Sequence, residues 1–332
     1  MANDIQEKRL RFEREADEQP ISGLLDVRTI LQTDWPEPAW AIPEYLPAGL
    51  TIIAGKAKIG KSWLALQIAA AVASGGKALG KDIPPGPALY LALEDPPRRL
   101  KERMLIQKWK IDADCQFMVI GEFNEKIGDL KNGGAIRLAD QINARGYRYV
   151  CIDTLSRAIL GDQNEVEEMT AALTPLQEIA HEKNCAIAIV DHHKKGLVDQ
   201  DAVTSILGST AKGAMADCIW GLYRERGKAQ ASLCITGRDV VEVTLAVTMD
   251  WELGCWQSDG DASEIQRGER MNEIVAYIES AGQVGLMEIC EAVERDKGNV
   301  FRDLSDLVGQ GILKKNGSTR GKIRYAIANY TF

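Results

Sequence analysis

Histidine is rare and cysteine is scattered. The 332 residues hold three His, and the seven Cys, at 115, 151, 185, 218, 234, 255 and 290, include no C-x-x-C pair. That pattern suggests neither a zinc site nor a disulfide framework, and buried thiols are the expected use. Long apolar runs are missing as well, none approaching the about 20 residues of a membrane-spanning helix. The first twenty residues, MANDIQEKRLRFEREADEQP, are charged throughout and lack the apolar core of a signal peptide. The expectation is a cytoplasmic protein with no membrane partner. An excess of positive charge is absent too: 40 Lys and Arg stand against 48 Asp and Glu, a net charge of -8. The surface is therefore not basic all over, and any contact with nucleic acid must be local. No internal repeat or low-complexity tract is seen.

What is present is 45% hydrophobic residues, enough for a sizeable core in a chain of about two domains, and one strong motif. Within TIIAGKAKIGKSWLALQIAAAVA (51 to 73), the residues Gly55, Lys56, Ala57, Lys58, Ile59, Gly60, Lys61 and Ser62 fit G-x-x-x-x-G-K-[ST]. An apolar strand precedes them and an Ala/Leu-rich helix follows, as a phosphate loop requires. Gly55 and Gly60 permit the torsions that wrap successive N–H groups round a β-phosphate at the positive end of the helix dipole. Lys61 would reach the β- and γ-phosphates, Ser62 would ligate Mg²⁺, and the nucleotide contact would extend to Trp63. ATP and Mg²⁺ are the expected cofactors; the competing interpretation is a plain glycine turn.

Around the loop the pattern alternates. The arm 1 to 35 starts as a polar helix, and Pro36, Pro38, Pro43 and Pro47 make an irregular approach to the first core strand. Strands are expected at 88 to 93, 116 to 120, 149 to 153 and 185 to 190, with helices around 97 to 110, 134 to 145 and 165 to 183. Short apolar strands separated by helices imply an α/β fold with a mostly parallel sheet covered on both faces. From about 217 the segments DCIWGLYRE, QASLCITGR and VVEVTLAVTM are strands alone, able to extend the sheet with antiparallel strands. QSDGDASE (257 to 264) reads as a linker closing a domain of 36 to 258. A C-terminal domain, 264 to 332, has helices at 264 to 280, 286 to 294 and 298 to 309 before a hairpin with NGSTRG at its tip, the pattern of a winged helix-turn-helix. Its hairpin carries Lys314, Lys315, Arg320, Lys322 and Arg324 without an acid between 311 and 325. This local sign reversal fits a phosphate-contacting wing. The third helix mixes Lys297 and Arg302 with Asp303 and Asp306, so a protein-docking module remains the alternative.

Strand ends carry the remaining chemistry. Asp153 closes YVCID, where ligands bind in open α/β sheets, and is the expected holder of the Mg²⁺ shell. Glu94 follows ALYLAL and is the expected base for the attacking water, with Asp95 as runner-up or as a helix cap before Pro96 and Pro97. CAIAIV ends in Asp191, His192, His193, Lys194 and Lys195. His192 is placed to sense a γ-phosphate or, more plainly, to pack at the surface.

The phosphate loop, YLALED, VCIDTLSR, IVDHHKKG, ILGSTAKGAMAD and the strand ending ITGRD together resemble RecA-like P-loop ATPases, most closely the RepA-like hexameric replicative helicases of plasmids and phages, over roughly 36 to 250. In many other P-loop classes a glutamate directly follows the Mg²⁺ aspartate, and here Thr154 follows Asp153. The resemblance implies a homo-oligomeric ring, a hexamer, with ATP between subunits. It also implies a cation supplied by a neighbour, for which Arg238 matches best, with Arg224 and Arg226 as alternatives and a surface ion pair as the plainer reading. The loop 194 to 208 corresponds to the family's channel-lining segment and would follow single-stranded DNA. It holds no aromatic residue, so its grip would be through charge and backbone. The implied function is an ATP-driven motor on single-stranded DNA, a replicative helicase, with a RecA-like recombination or defence ATPase and an ATP-switched DNA-binding regulator or loader as rivals. The terminal module would meet DNA, a replication initiator or another protein.

Overall fold

The computed structural model describes residues 24–35, 37–160, 166–192, 210–225, 227–317 and 323–328, without the side chains of 192, 210 and 211. The chain divides into two compact units, Met1–Pro38 and Ala39–Phe332. In the first unit, the described part is a short helix, Val27–Gln32, whose N-cap Asp26 accepts a hydrogen bond from the Thr29 N–H at 2.7 Å. Residues 1 to 23 of the arm lie outside the described residues.

The second unit is built on one large sheet. Its small hairpin β1 (Trp40–Ile42) and β2 (Leu46–Pro47) leads into β3 (Gly49–Gly55), which is buried along its whole length. After the helix Lys61–Ser74 and a second hairpin, β4 (Gly76–Ala78) with β5 (Lys81–Ile83), come β6 (Ala88–Ala92), β7 (Cys115–Val119), β8 (Tyr149–Asp153) and β9 (Ala186–His192). Strands β10 (Cys218–Arg224), β11 (Gln230–Gly237), β12 (Val243–Asp250) and β13 (Cys255–Asp261) follow. The nine-stranded order is β13-β12-β11-β10-β3-β9-β8-β6-β7. From β7 to β10 every pairing is parallel, and from β10 to β13 every pairing is antiparallel. DCIWGLYRE thus joins the parallel part beside β3, and the antiparallel extension begins only with the next strand. Helices cover both faces, as the apolar strands require. One core layer packs Leu64, Ile68 and Val72 of the phosphate-loop helix against Trp220 and Trp256; the other packs Leu138, Ile142, Leu173 and Leu176 against the opposite face.

The linker expected at 257 to 264 is corrected. Its Ser, Asp and Gly composition belongs to β13, which pairs with β12 from Cys255↔Asp250 to Asp261↔Leu245 through a bulge. Trp256 explains why the segment is pinned. It is 1% exposed, its indole N–H donates to the Gly60 carbonyl at 3.1 Å, and its backbone exchanges bonds with the Gln67 amide at 2.8 and 2.9 Å. Gly60 sits at φ +110°, and a Cβ there would come within 2.9 Å of the Trp256 ring. Glycine at 60 is therefore required by this contact as well as by torsion.

Asp261 ends β13 and caps the next helix, Ala262–Ala281, by accepting from the Ser263 and Glu264 N–H groups. Helices Leu286–Ala292 and Lys297–Gly309 follow. Strands β14 (Val284–Gly285), β15 (Leu313–Asn316) and β16 (Arg324–Ile327) form an antiparallel sheet in the order β14-β16-β15. Ile274, Ile278, Ile289, Val300, Leu304 and Tyr325 make a core of their own. The hairpin tip, with Arg320 and Lys322, lies outside the described residues.

Candidate nucleotide site

Register brings the predicted strand ends together. Ala92 pairs with Asp153, Asp153 with Val190, Ala54 with Asp191 and Gly55 with His192. The carboxyl ends of β6, β8 and β9 therefore meet the phosphate loop at one edge of the parallel strands. A cavity of about 350 Å³ opens there, lined by Lys58, Gly60, Lys61, Ser62 and Trp63 on one side and by Glu94, Asp95, Arg99, Arg103, Thr154, Val190 and Trp251 on the others.

Lys61 is 4% exposed, and its ammonium donates to the carbonyls of Gly55 at 2.8 Å and Lys56 at 2.9 Å. Lys58 adopts φ 65°, turning the crest of the loop. Asp153, 2% exposed, accepts from the Ser62 hydroxyl at 3.1 Å and from the Tyr90 hydroxyl at 2.7 Å, one bond on each carboxylate oxygen. Glu94 accepts from the Thr154 hydroxyl at 3.0 Å. Burial pushes the Asp153 carboxyl up to about 6, opposed by the bonds from Tyr90 and Ser62. Both of its bonded donors are neutral hydroxyls, so beyond the attraction of the Lys61 ammonium this buried carboxylate has room for a cation. Magnesium fits the gap: Ser62 and Asp153 offer two hard oxygens side by side, next to the lysine that would face phosphate. The chemistry such an ion supplies is neutralisation of charge at phosphate oxygens.

Burial also pushes the Lys61 ammonium down to about 8, against the pull of Asp153, Asp191 and Glu94. Phosphate oxygens beside it favour the charged form and raise its pKa again. A group whose pKa rises on binding takes up a proton at pH values between the free and bound pKa. With a return to the ordinary lysine value, and with the Asp153 carboxyl near 6 giving up about 0.1 proton on binding Mg²⁺ at pH 7, magnesium nucleotide binding should take up about 0.9 proton per site at pH 9 and roughly zero net at pH 7. Titration calorimetry in buffers of different ionisation enthalpy measures this; equal uptake at both pH values would contradict it.

Asp95 is corrected in its capping role. Pro96 is the N-cap of Pro97–Ile106 with no side-chain cap bond, and Asp95 instead pairs with Arg99 at 3.0 Å and with Arg103. That pairing occupies the runner-up carboxylate and leaves Glu94 as the acid on Thr154. Asp191 forms a buried ion pair with Lys212 at 2.6 Å, joining the two sides of the segment 193–209. His192 ends β9, but its side chain lies outside the described residues, as do Lys194, Lys195, the rest of the expected channel loop and Arg226.

Arg238 follows β11 at the other edge of the sheet. Gly237 pairs with Cys218, the first residue of β10, whereas Gly55 pairs with Leu222 further along the same strand. Arg238 donates to buried Asp217 at 3.1 Å and to the Ala214 carbonyl at 3.1 Å, and its side chain is 61% exposed. It stands at the opposite end of β3 from its own phosphate loop. Arg224 lies at the loop end of β10, its guanidinium donating to the Lys58 carbonyl at 3.3 Å. Tyr90 and Thr154 were not anticipated from sequence; they hold Asp153 and Glu94 through contacts across strands that no local motif announces.

A family model described as AAA domain, AAA_25, matches residues 15–197, more than half of the chain. The chain belongs to this AAA domain family. Membership agrees with the RecA-like P-loop resemblance drawn from the phosphate loop and strand ends. Among solved structures, this AAA domain protein is similar to a KaiC-like protein of the hyperthermophilic archaeon Pyrococcus horikoshii OT3, at 13% identity and a TM-score of 0.45, covering 64% of this chain and 90% of that one. It is also similar to the RadB recombinase, at 15% identity and a TM-score of 0.47, covering 64% and 91%. A zebrafish PKZ Zalpha domain matches 19% of this AAA domain chain, at 17% identity, a TM-score of 0.19 and 98% of its own length. No helix among the described residues is long and apolar enough to cross a membrane.

Proposed function

We propose that the chain is an ATP-hydrolysing ring motor on single-stranded DNA, a replicative helicase of a mobile element. The observation that carries the ATPase part is the convergence of Lys61, Ser62 and Glu94 at one cavity, with Asp153 bonded to the Ser62 hydroxyl and Thr154 orienting the Glu94 carboxylate. Lys61 would hold the β- and γ-phosphates, Ser62 and Asp153 would hold Mg²⁺, and Glu94 would orient the attacking water and accept its proton. His192, at the end of the strand beside the phosphate loop, would report the γ-phosphate to the loop that follows.

Support for a ring comes from the position of Arg238. An exposed guanidinium at the edge opposite its own phosphate loop cannot serve that loop, but in a head-to-tail ring it can face a neighbour's γ-phosphate. Its bonds to Asp217 and Ala214 would hold it in readiness. The carboxy-terminal helices and their three-stranded sheet have the element order of a winged helix, and Lys314, Lys315 and Arg324 on β15 and β16 suit contact with DNA phosphate or an acidic protein. A RecA-like recombination or defence ATPase without unwinding is the second reading, favoured by the lack of aromatics in 194 to 208.

Strand displacement on a forked duplex tests both parts. Wild-type chains with ATP should release the displaced strand, whereas Arg238→Ala chains should bind ATP normally and release about 10³-fold less, the order by which a missing finger slows turnover. Wild-type release by Arg238→Ala removes the finger role. No release by the wild type, with ATP still hydrolysed, favours the second reading.

A further inference from the structure

At the edge of the sheet opposite the phosphate loop lies a buried carboxylate that the nucleotide site does not use. Asp217 is 4% exposed and stands between the helix Thr210–Met215 and β10. Its backbone and its side chain meet the same two residues twice. The Asp217 N–H donates to the Leu50 carbonyl at 2.8 Å, and the Leu50 N–H donates back to Oδ2 at 2.9 Å. The Asp217 carbonyl accepts from the Arg238 N–H at 2.9 Å, and Oδ1 accepts from the Arg238 guanidinium at 3.1 Å. Gly49, at φ +121°, makes room for the carboxylate, since a Cβ there would come within 2.8 Å of Oδ2.

Two more donors arrive from the helix Val166–Glu182, one turn apart and so on one face of it. The Gln177 amide donates to Oδ1 at 3.1 Å, and His181 donates from Nε2 to Oδ2 at 2.8 Å. Each oxygen therefore carries two bonds, and β3 and the helix fix the carboxylate from sides that do not involve Arg238. An ordinary surface ion pair gains little because two long side chains must both be held still. Here the acid is short, buried and already held, and only the cation, 61% exposed, has freedom to lose. Arg238 Nη2 also donates to the Ala214 carbonyl at 3.1 Å. Two of the five N–H groups of a guanidinium are thus engaged, and the others remain for an acceptor outside the chain.

We propose that Asp217 is the positioning residue of the finger, with Gln177 and His181 as its supports, so that Arg238 is aimed before a neighbour's γ-phosphate meets it. The inference rests on the finger role given to Arg238 above and adds what holds that finger. A guanidinium oriented in advance has less freedom to lose, and less reorganisation to undergo, when charge develops on the phosphate. Asp217 itself touches neither nucleotide nor ion; it acts through the arginine.

Turnover and ATP affinity of full-length variants test this. Asp217→Asn should lower kcat about 10²-fold, the scale of a misplaced catalytic group, and leave ATP affinity as in wild type. The Asp217→Asn/Arg238→Ala double variant should turn over no more slowly than Arg238→Ala alone, because the first change acts only through the second residue. His181→Ala should slow turnover several-fold, and His181→Gln, which keeps an N–H donor, should recover most of it; this exposed position carries the test if Asp217→Asn chains do not fold. Wild-type turnover by folded Asp217→Asn chains overturns the proposal, as does wild-type turnover by His181→Ala where Asp217→Asn does not fold. Losses that multiply in the double variant, or an ATP affinity that falls together with turnover, also overturn it, because the effect would then reach the chain's own site through Leu50 and β3. Wild-type turnover by Arg238→Ala is a different result, which removes the finger itself.

Discussion

Lys61→Ala chains are expected to bind magnesium ATP about 10²–10⁴-fold more weakly than wild type, the loss of two charge-assisted hydrogen bonds of roughly 1.5–3 kcal/mol each. In the free protein the ammonium is spent on the Gly55 and Lys56 carbonyls and sits in a site that pushes its pKa down to about 8. Its burial there is costly, so removing it should not unfold the chain: the desolvation relieved offsets the two carbonyls left without a donor. Lys61→Met, which keeps most of the volume, is the companion variant. Calorimetry should show binding lost in both while the urea midpoint stays close to wild type. Tight ATP binding by either variant would remove the lysine from the phosphate site.

Glu94→Gln should hold ATP as tightly as wild type and hydrolyse it about 10²–10⁴-fold more slowly, the range for a lost general base. The glutamine carbonyl can still accept from the Thr154 hydroxyl, which donates to Glu94 at 3.0 Å, so the geometry is retained and only the proton acceptor is lost. Asp95→Asn is the control. Its carboxylate is committed to Arg99 and Arg103, and breaking those pairs should disturb the helix Pro97–Ile106 and slow turnover less than the change at 94. Single-turnover rates with bound ATP compare the two directly. Normal hydrolysis by Glu94→Gln would take the base role away from it.

Much of this site could be read in the sequence because its parts are local. A phosphate loop is one contiguous motif, and an acid closing an apolar strand is recognisable without knowing which strand lies beside it. Asp153 and Glu94 were both singled out in this way. The parallel register of β6 with β8, Ala92 opposite Asp153, then brings them together. What could not be read depends on distant contacts. QSDGDASE has the composition of a linker, yet Trp256 just before it reaches across to Gly60 and Gln67 and makes the segment a strand. Asp95 before two prolines has the look of a cap until Arg99 and Arg103 draw its carboxylate away. Arg238 was singled out by the family resemblance, but only the antiparallel turn of β11 reveals that it lies at the far edge of the sheet from its own loop.

Whether the site drives movement along single-stranded DNA is decided by ATP turnover of the full chain, measured with and without a saturating single-stranded oligonucleotide. A motor should turn over several-fold faster or more with the single strand, with little response to blunt duplex, and the acceleration should vanish in Glu94→Gln. An unchanged rate with single-stranded DNA, in a chain that hydrolyses ATP through Lys61 and Glu94, would contradict the motor and leave an ATPase that serves some other task.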